Sequence, residues 1–534
     1  MQRLHAPLAF ALALAACSSS DTDKIAMNPP ATDAGGQSPL DTAIAAMGGE
    51  AAIGAVTAVS IEATGDNWDP KTQGRTPASD PVHLSKFQST LLDNLDGSGL
   101  REKWHLDAEY FFPPSPFDYT EISNAKSGWI DGVDGIVSMP KGSMLASQIT
   151  ATRKQNQLDN PVALLQRALA NRSALQMLAD EDLDGKPHHV IAIPAHPSPI
   201  RLFIDAQNGV LDKADTLEDS PALGDVLYES YYADWRMAGN VRVPFQVHEL
   251  VGSVAFHDET RSTVDTEPAV PEASFDVPAD LALPFDQDLA DWGDRSTHWL
   301  PRWQWQGLVL YFLQNAVQAT EVVPGVVWLA GGSHHSMIVE LQDQLVLVEA
   351  PLYQARSAAI VAKAAELFPG KPITKVVSTH HHHDHSGGVR GALGLTGAEL
   401  VVGPGLRDFF AKMLSAPHTV VPDALSGKSA PTITEVTTEL ALGDTTREVI
   451  ALSIPTAHAD GMLSVWLPKE GILFVSDLFI PGLIMGQIPK SGYADAAGEF
   501  YRWIGTKSLP VQKIVGGHGG AVGTLADLKT AVGG

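Results

Sequence analysis

The sequence predicts an α/β protein built from two domains, a mainly antiparallel β domain followed by a layered α/β domain. Its 534 residues exceed what one hydrophobic core normally serves. Between about residues 56 and 277, apolar and polar residues alternate in short runs, which is typical of strands with one buried face. From about residue 320, apolar runs alternate with helical patterns, which is typical of a layered α/β domain.

The composition indicates a folded, strongly acidic protein. Hydrophobic residues make up 44% of the chain, which is enough to form large cores and excludes global disorder. The formal net charge is −26, and a surface this acidic repels phosphate backbones. We therefore expect no nucleic-acid partner.

The N-terminus has the pattern of an export signal that ends at Cys17, the one cysteine of the chain. The apolar run Ala6–Ala16 is too short to span a bilayer as a mature helix. Its end, Leu-Ala-Ala followed by Cys17, resembles a bacterial lipobox, which implies cleavage and lipidation at Cys17. We expect residues 1–17 to be a lipoprotein signal peptide.

The segment after Cys17 predicts how the protein is placed in the cell. Residues 18–38 are rich in Ser, Asp, Pro, Gly and Ala, which is typical of a flexible tether. Ser18 directly follows Cys17, and by resemblance to lipoprotein sorting rules this favours the outer membrane. We expect an exported outer-membrane lipoprotein that faces the periplasm and contacts the membrane through its lipid anchor.

The β-rich domain is predicted at residues 39–285. Asn208-Gly209 is a hairpin turn signal between two strand patterns, and a helix is predicted at about Pro161–Leu178. The strand pattern resembles the half-barrel of bacterial lipoprotein-carrier proteins. We expect His188 and His189, at the end of a Gly-Lys-Pro turn, to be solvated and not metal-bound.

A connector is predicted at residues 286–318. It contains several tryptophans and then an apolar stretch, Leu308–Leu313, which predicts a helix that packs near the following domain. Residues 319–534 are expected to form that second domain.

The residues that indicate a metal-binding role begin directly after an apolar strand. They are residues 379–388, Thr-His-His-His-His-Asp-His-Ser-Gly-Gly. His380 and His382 are two residues apart, so at an extended strand end their rings point the same way and both can hold one metal ion. Asp384 and His385 follow where the chain turns into a helix, and they can point to a second ion. Imidazole and carboxylate without thiolate suit Zn²⁺, and also Mn²⁺ or Fe.

Three more residues of ligand type stand at the ends of later strands. His458, Asp477 and His518 each follow an apolar run and have small residues beside them. We expect these three side chains to complete the metal site.

In this order, the residues resemble the ligand motif of the metallo-β-lactamase superfamily. The resemblance covers residues 319–534 and implies an αββα sandwich with the metals at one edge. It also implies a ligand set with two metal positions: His380, His382 and His458 for the first, Asp384, His385 and His518 for the second, and Asp477 as the bridge.

The residue at the bridging position indicates the branch of the family. Class B β-lactamases of the best-known type carry a cysteine there, and a carboxylate at Asp477 instead resembles glyoxalase II, the lactonases and related esterases. Flavodiiron oxygen reductases carry a carboxylate at the position of His382, so that branch is disfavoured. The resemblance implies a hydrolase with two Zn²⁺ per chain that uses a metal-bridging hydroxide. Asp384, as the catalytic residue, would orient this nucleophile and accept its proton. The resemblance also implies a small-molecule substrate with an ester, lactone, thioester or lactam bond.

Some residues depart from the family pattern or have no role in it. Glu349-Ala350-Pro351 stands where the family often has an Asp-Thr-Gly-like turn, and we expect this departure to touch no ligand. His334 and His335 are expected to be structural loop residues. His418 is expected on a loop near the cleft.

Two alternative functions remain. One is a mononuclear iron oxygenase acting on persulfides, which occurs on the same fold. The other is a lipoprotein whose N-terminal domain binds a lipid or lipoprotein while the metal domain is structural. The complete second ligand set argues against both, because a structural zinc site usually closes with four ligands around one ion.

Overall fold

The computed structural model describes residues 38–109, 116–132, 141–295, 316–482 and 493–533. Cys17, the signal peptide, the tether before Ser38 and the stretch Leu308–Leu313 lie outside these ranges, so the expectations for them stay predictions. None of the helices in the described ranges has both the length and the hydrophobicity to cross a bilayer.

The helices and strands alternate along the chain much as the sequence predicts. The α-helices of the described ranges are α1 Pro39–Ala46, α2 Glu50–Ala55, α3 Ala146–Leu158, α4 Pro161–Ala170, α5 Gln287–Arg295, α6 Gln354–Leu367, α7 His383–Ser386, α8 Val389–Thr396, α9 Arg407–Ser415, α10 Tyr493–Lys507 and α11 Leu525–Ala531. The strands are β1 Ala58–Asp69, β2 Val82–Asn94, β3 Gly99–Ala108, β4 Phe117–Asn124, β5 Gly128–Gly132, β6 Lys141–Met144, β7 Gln176–Met177, β8 Glu181–Leu183, β9 Lys186–Ile193, β10 Ile200–Asp205, β11 Leu211–Ser220, β12 Gly224–Ala238, β13 Val241–Val251, β14 Val254–Asp265, β15 Gln318–Val323, β16 Val326–Ala330, β17 Ser336–Glu340, β18 Leu345–Val348, β19 Ile373–Val377, β20 Glu399–Val402, β21 Ile433–Glu435, β22 Glu439–Ala441, β23 Ile450–Ser453, β24 Leu463–Leu467, β25 Ile472–Val475 and β26 Lys513–Gly516.

An antiparallel sheet of 14 strands forms the N-terminal part of the described chain. Its order is β6-β5-β4-β3-β2-β1-β14-β13-β12-β11-β10-β9-β7, and β8 also pairs with β9. Side chains along strands such as β2 alternate between buried and less buried, because one face of the sheet packs on helices α1 to α4. The expected mainly antiparallel domain is confirmed, whereas the limits of the domains stay predictions.

Two local expectations in this domain are wrong. The helix expected at Pro161–Leu178 is shorter, since α4 ends at Ala170 and the chain continues into a 3-10 turn and β7. His188 is buried and not solvated: its Nδ1–H donates to the Lys186 carbonyl over 2.9 Å, and its Nε2 lies 3.2 Å from an Asp212 oxygen. His189, the next residue, is partly exposed and lies 3.0 Å from an Asp180 oxygen.

Two sheets and two helix layers form the C-terminal part. The first sheet has the order β15-β16-β17-β18-β19-β20-β21, with parallel pairing from β18 onward, and the second has the order β22-β23-β24-β25-β26. One core lies between the two sheets. Helices α6, α8 and α9 cover the outer face of the first sheet, and α10 and α11 cover that of the second. This arrangement confirms the expected αββα sandwich.

Candidate metal centre

The ends of four strands bring the predicted ligand residues to one place. Residues 380–385 follow β19, and His458, Asp477 and His518 follow β23, β25 and β26. Two groups of side chains result, in each of which one ligand atom per residue lies within 4.8 Å of all the others. The first group is His380, His382, His458 and Asp477, and the second is His334, Asp384, His385 and His518. All seven residues that the sequence singles out as ligands are among them.

The first group has buried ring nitrogens that make no hydrogen bond of good geometry. Among the described residues, His380 Nε2, His382 Nδ1 and His458 Nε2 are buried and make no well-aligned hydrogen bond. Burial lowers the pKa of His380 to about 3, so its ring is neutral and carries a free lone pair at neutral pH. Buried polar atoms without a partner are uncommon in proteins and ask for a physical reason. Three converging imidazole lone pairs fit a divalent metal ion.

Asp477 lies between the two groups. Its Oδ2 is 2.9 Å from His458 Nε2 and 3.4 Å from His380 Nε2, and its Oδ1 is 2.8 Å from His385 Nε2 and 3.1 Å from His518 Nε2. Burial works against the charged carboxylate, but the facing histidines outweigh it and hold the pKa of Asp477 well below its usual range. One carboxylate oxygen therefore faces each group, which is the geometry that a bridging ligand needs.

His334 is a member of the second group, although the sequence indicates only a structural loop residue. Its Nε2 lies 3.1 Å from Asp384 Oδ2, and its ring centre lies 4.3 Å from that of His518. His334 follows the end of β16 and a Gly-Gly-Ser segment, which is the same signal that identifies the other ligand residues. His335, in contrast, has the expected structural role, since its Nε2–H donates to the Gly519 carbonyl over 2.7 Å.

Glu349, which stands where the family often has an Asp-Thr-Gly-like turn, also contacts the site. The expectation that this departure from the family pattern touches no ligand is therefore wrong. The His385 Nδ1–H donates to Glu349 Oε2 over 2.7 Å, and the Thr379 hydroxyl donates to the other carboxylate oxygen. Burial disfavours a charged His385, but the carboxylates of Asp477 and Glu349 outweigh it and hold the pKa of His385 well above its usual value. A carboxylate on one ring nitrogen fixes the tautomer and directs the other nitrogen to the metal.

Replacement of Glu349 by alanine is expected to weaken metal binding at the second group by about 10–100-fold, because His385 loses the partner that orients it. The Kd for zinc of the full chain, measured by competition with a chromophoric chelator, checks this. Glu340→Ala is the matched control, since that carboxylate lies on β17 and pairs with Lys371 at 2.8 Å. Equal zinc affinity in Glu349→Ala and wild type would contradict the prediction.

Comparison with a family model agrees with the two metal-ligand groups found in the C-terminal part. Residues 329–518, a segment that holds both groups, match the family model described as the metallo-beta-lactamase superfamily. None of the curated proteins compared with the chain matches it. Among solved structures, a metallo-beta-lactamase from Pontibacter korlensis is 18% identical, with 41% of this chain and 98% of that chain covered and a TM-score of 0.31. The DIM-1 metallo-beta-lactamase is 19% identical, with 41% and 95% covered and a TM-score of 0.30. The match to the metallo-beta-lactamase superfamily and both metal-ligand groups therefore fall on the same segment of the chain, residues 329–518.

Proposed function

We propose that this chain is a metal-dependent hydrolase with two adjacent metal positions, and that its substrate is a small molecule with an ester, lactone, thioester or lactam bond. The observation that carries the proposal is the position of Asp477, with one oxygen toward each group of histidines. A structural zinc site would close around a single ion and would need no such shared carboxylate.

The residues that would hold the metals divide into two sets. His380, His382 and His458 would hold the first metal, Asp384, His385 and His518 the second, and Asp477 would serve both. Zn²⁺ suits this donor set, which contains imidazoles and carboxylates and no thiolate. When bound, a divalent pair lowers the pKa of water toward about 7 and polarises a scissile carbonyl.

Asp384 is the side chain best placed to orient the attacking water. Burial opposes its charge, but His385 and His334 outweigh this and hold the pKa of Asp384 well below its usual range. The carboxylate is therefore an acceptor at neutral pH, and its Oδ2 lies 3.6 Å from His385 Nε2. At this point the carboxylate would orient the attacking water and accept its proton.

A combined measurement of metal content and hydrolysis tests the proposal. Purified full chain is expected to contain about two zinc ions and to turn over one class in a panel of a chromogenic cephalosporin, an acyl-homoserine lactone, a thioester and an aryl ester. His382→Ala should lose that turnover. His189→Ala is the control, because His189 lies in the N-terminal sheet, where it pairs with Asp180 at 3.0 Å. About one iron per chain without hydrolysis would instead favour the persulfide oxygenase.

A further inference from the structure

The connection between β1 and β2, residues 70–81, reaches from the N-terminal sheet to the metal centre. Its residues Gln73 and Gly74 are separated from the histidine motif by about 310 positions in sequence, yet they contact that motif directly. We call residues 70–81 the β1–β2 loop. Its contacts fall on the side chains that the metal centre depends on.

The carbonyl oxygen of Gly74 accepts two hydrogen bonds from the histidine motif. His382 Nε2–H donates to it over 3.1 Å, and His381 Nε2–H donates over 2.9 Å. A carbonyl only accepts, so the proton of His382 must be on Nε2. In a neutral ring with its proton on Nε2, Nδ1 keeps the lone pair. That Nδ1 is one of the three nitrogens without a hydrogen bond in the first group.

Gln73 acts on the second group. Its side-chain amide donates to Asp384 Oδ1 over 2.8 Å, while the other oxygen of Asp384 lies 3.1 Å from His334 Nε2. Both oxygens of the carboxylate therefore have a fixed partner, one from each domain. Because a carboxylate held at both oxygens cannot rotate freely, Gln73 sets the direction in which Asp384 presents its remaining lone pairs.

The β1–β2 loop is held rigidly enough to position these groups. The carboxylate of Asp69, which is fully buried, accepts from the backbone N–H of Thr72 at 2.5 Å and of Gln73 at 2.8 Å. Beyond Gln73, the backbone N–H of Asp460 donates to the Arg75 carbonyl over 2.9 Å, close to His458 in sequence. The loop is thus fixed at both ends of the short segment that touches the metal centre.

A second contact joins the two domains through residues outside the two ligand groups. His418 Nδ1 lies 2.8 Å from an Asp219 oxygen, and the backbone N–H and hydroxyl of Thr419 donate to Asp225 over 2.9 Å and 2.6 Å. His418 therefore lies at the contact with the N-terminal sheet. Two separated contacts fix the orientation of one domain on the other better than one contact does.

We propose that the N-terminal domain completes the metal centre, with Gln73 and the Gly74 carbonyl as positioning groups for Asp384 and His382. The inference rests on the proposed function, because it assigns these groups to a centre that binds metal. In this role, the N-terminal domain contributes to the reaction without binding a ligand itself. The β1–β2 loop acts on the metal ligands by the same means as Glu349, through hydrogen bonds to atoms that do not face the metal.

Titration of the metal-free full chain with Co²⁺, followed by the visible absorption of the bound ion, tests the proposal without a substrate. In Gln73→Ala and in Gln73→Met, which keeps the side-chain volume but lacks the amide, the second Co²⁺ is expected to bind about 10–100-fold more weakly, with a shifted absorption band. Arg75→Ala is the matched control, since its ion pair with Asp460 is 61% and 49% exposed and touches no ligand. The unfolding midpoint of each metal-free variant shows whether it is folded.

The outcomes separate the two proposals. If wild type binds two Co²⁺ and both Gln73 variants lose affinity at the second position while Arg75→Ala does not, the inference holds. If both Gln73 variants titrate with the affinity and spectrum of wild type, the positioning role is wrong and the proposed function is untouched. If wild type binds no Co²⁺, the proposed function fails and the inference fails with it.

Discussion

Replacement of Asp477 by alanine is expected to abolish the second metal and to lower kcat/KM more than any change that leaves the ligands in place. Removal of a residue that hydrogen-bonds to a metal ligand lowers metal affinity or activity by about 10–100-fold. Removal of a carboxylate shared by two metals should lower kcat/KM by on the order of 10³-fold. The reason is geometric, since Asp477 is the residue with one oxygen toward each group, at 2.9 Å from His458 and 2.8 Å from His385.

Zinc content and turnover of the substrate class found in the panel check this result. The content should fall from about two ions per chain to one or none. Asp408→Ala is the control, because this exposed carboxylate stands in the first turn of α9. Retention of two zinc ions and of activity within tenfold of wild type in Asp477→Ala would refute a shared carboxylate.

Replacement of Arg356 by methionine is expected to give the largest loss of stability. The side chain is fully buried and donates to the carbonyl oxygens of Ala316 at 2.8 Å and His334 at 3.2 Å. Burial lowers the pKa of Arg356 to about 10, so the guanidinium is still charged at neutral pH. Methionine fills part of the volume but leaves both carbonyls without a donor, at about 1–3 kcal/mol each.

The free energy of unfolding of the metal-free chain, measured by denaturant titration, checks this prediction. The loss should be about 2–6 kcal/mol, since two carbonyls lose their donor. Because Arg356 also holds the backbone of His334, the variant should bind the second zinc more weakly. In the control Arg407→Met, a side chain 52% exposed and 4.0 Å from Glu435, the change should stay within about 1 kcal/mol. Similar losses in the two variants would contradict the argument.

The parts of the site that the sequence predicts are those determined locally. A His or Asp that follows an apolar strand lies at the end of that strand, independently of contacts elsewhere in the fold. The sequence therefore identifies residues 380–385, His458, Asp477 and His518. The αββα layers follow from the same alternation of strands and helices.

The parts that the sequence does not predict depend on distant contacts. Gln73 acts through partners that no local pattern indicates, because its spacing from the motif is set by the fold. Helix α3 is missed for a related reason: it is largely polar, and residues such as Gln155 are buried only by tertiary packing. His334 is different, since its signal, a histidine after β16 and beside small residues, is present in the sequence. Glu349 directly follows β18, so its position has the same signal as the ligand residues.

The contacts of the β1–β2 loop and of Thr419 with Asp225 have a consequence for how such a protein can evolve. A domain joined to another by a linker alone can be exchanged, lost or duplicated without damage to its partner. Here the carbonyl of Gly74 and the amide of Gln73 reach the histidine motif from the other domain, so a shortened β1–β2 loop would alter the metal centre as surely as a change in the motif. The two halves of the chain are therefore expected to be inherited together, with the length of this loop preserved.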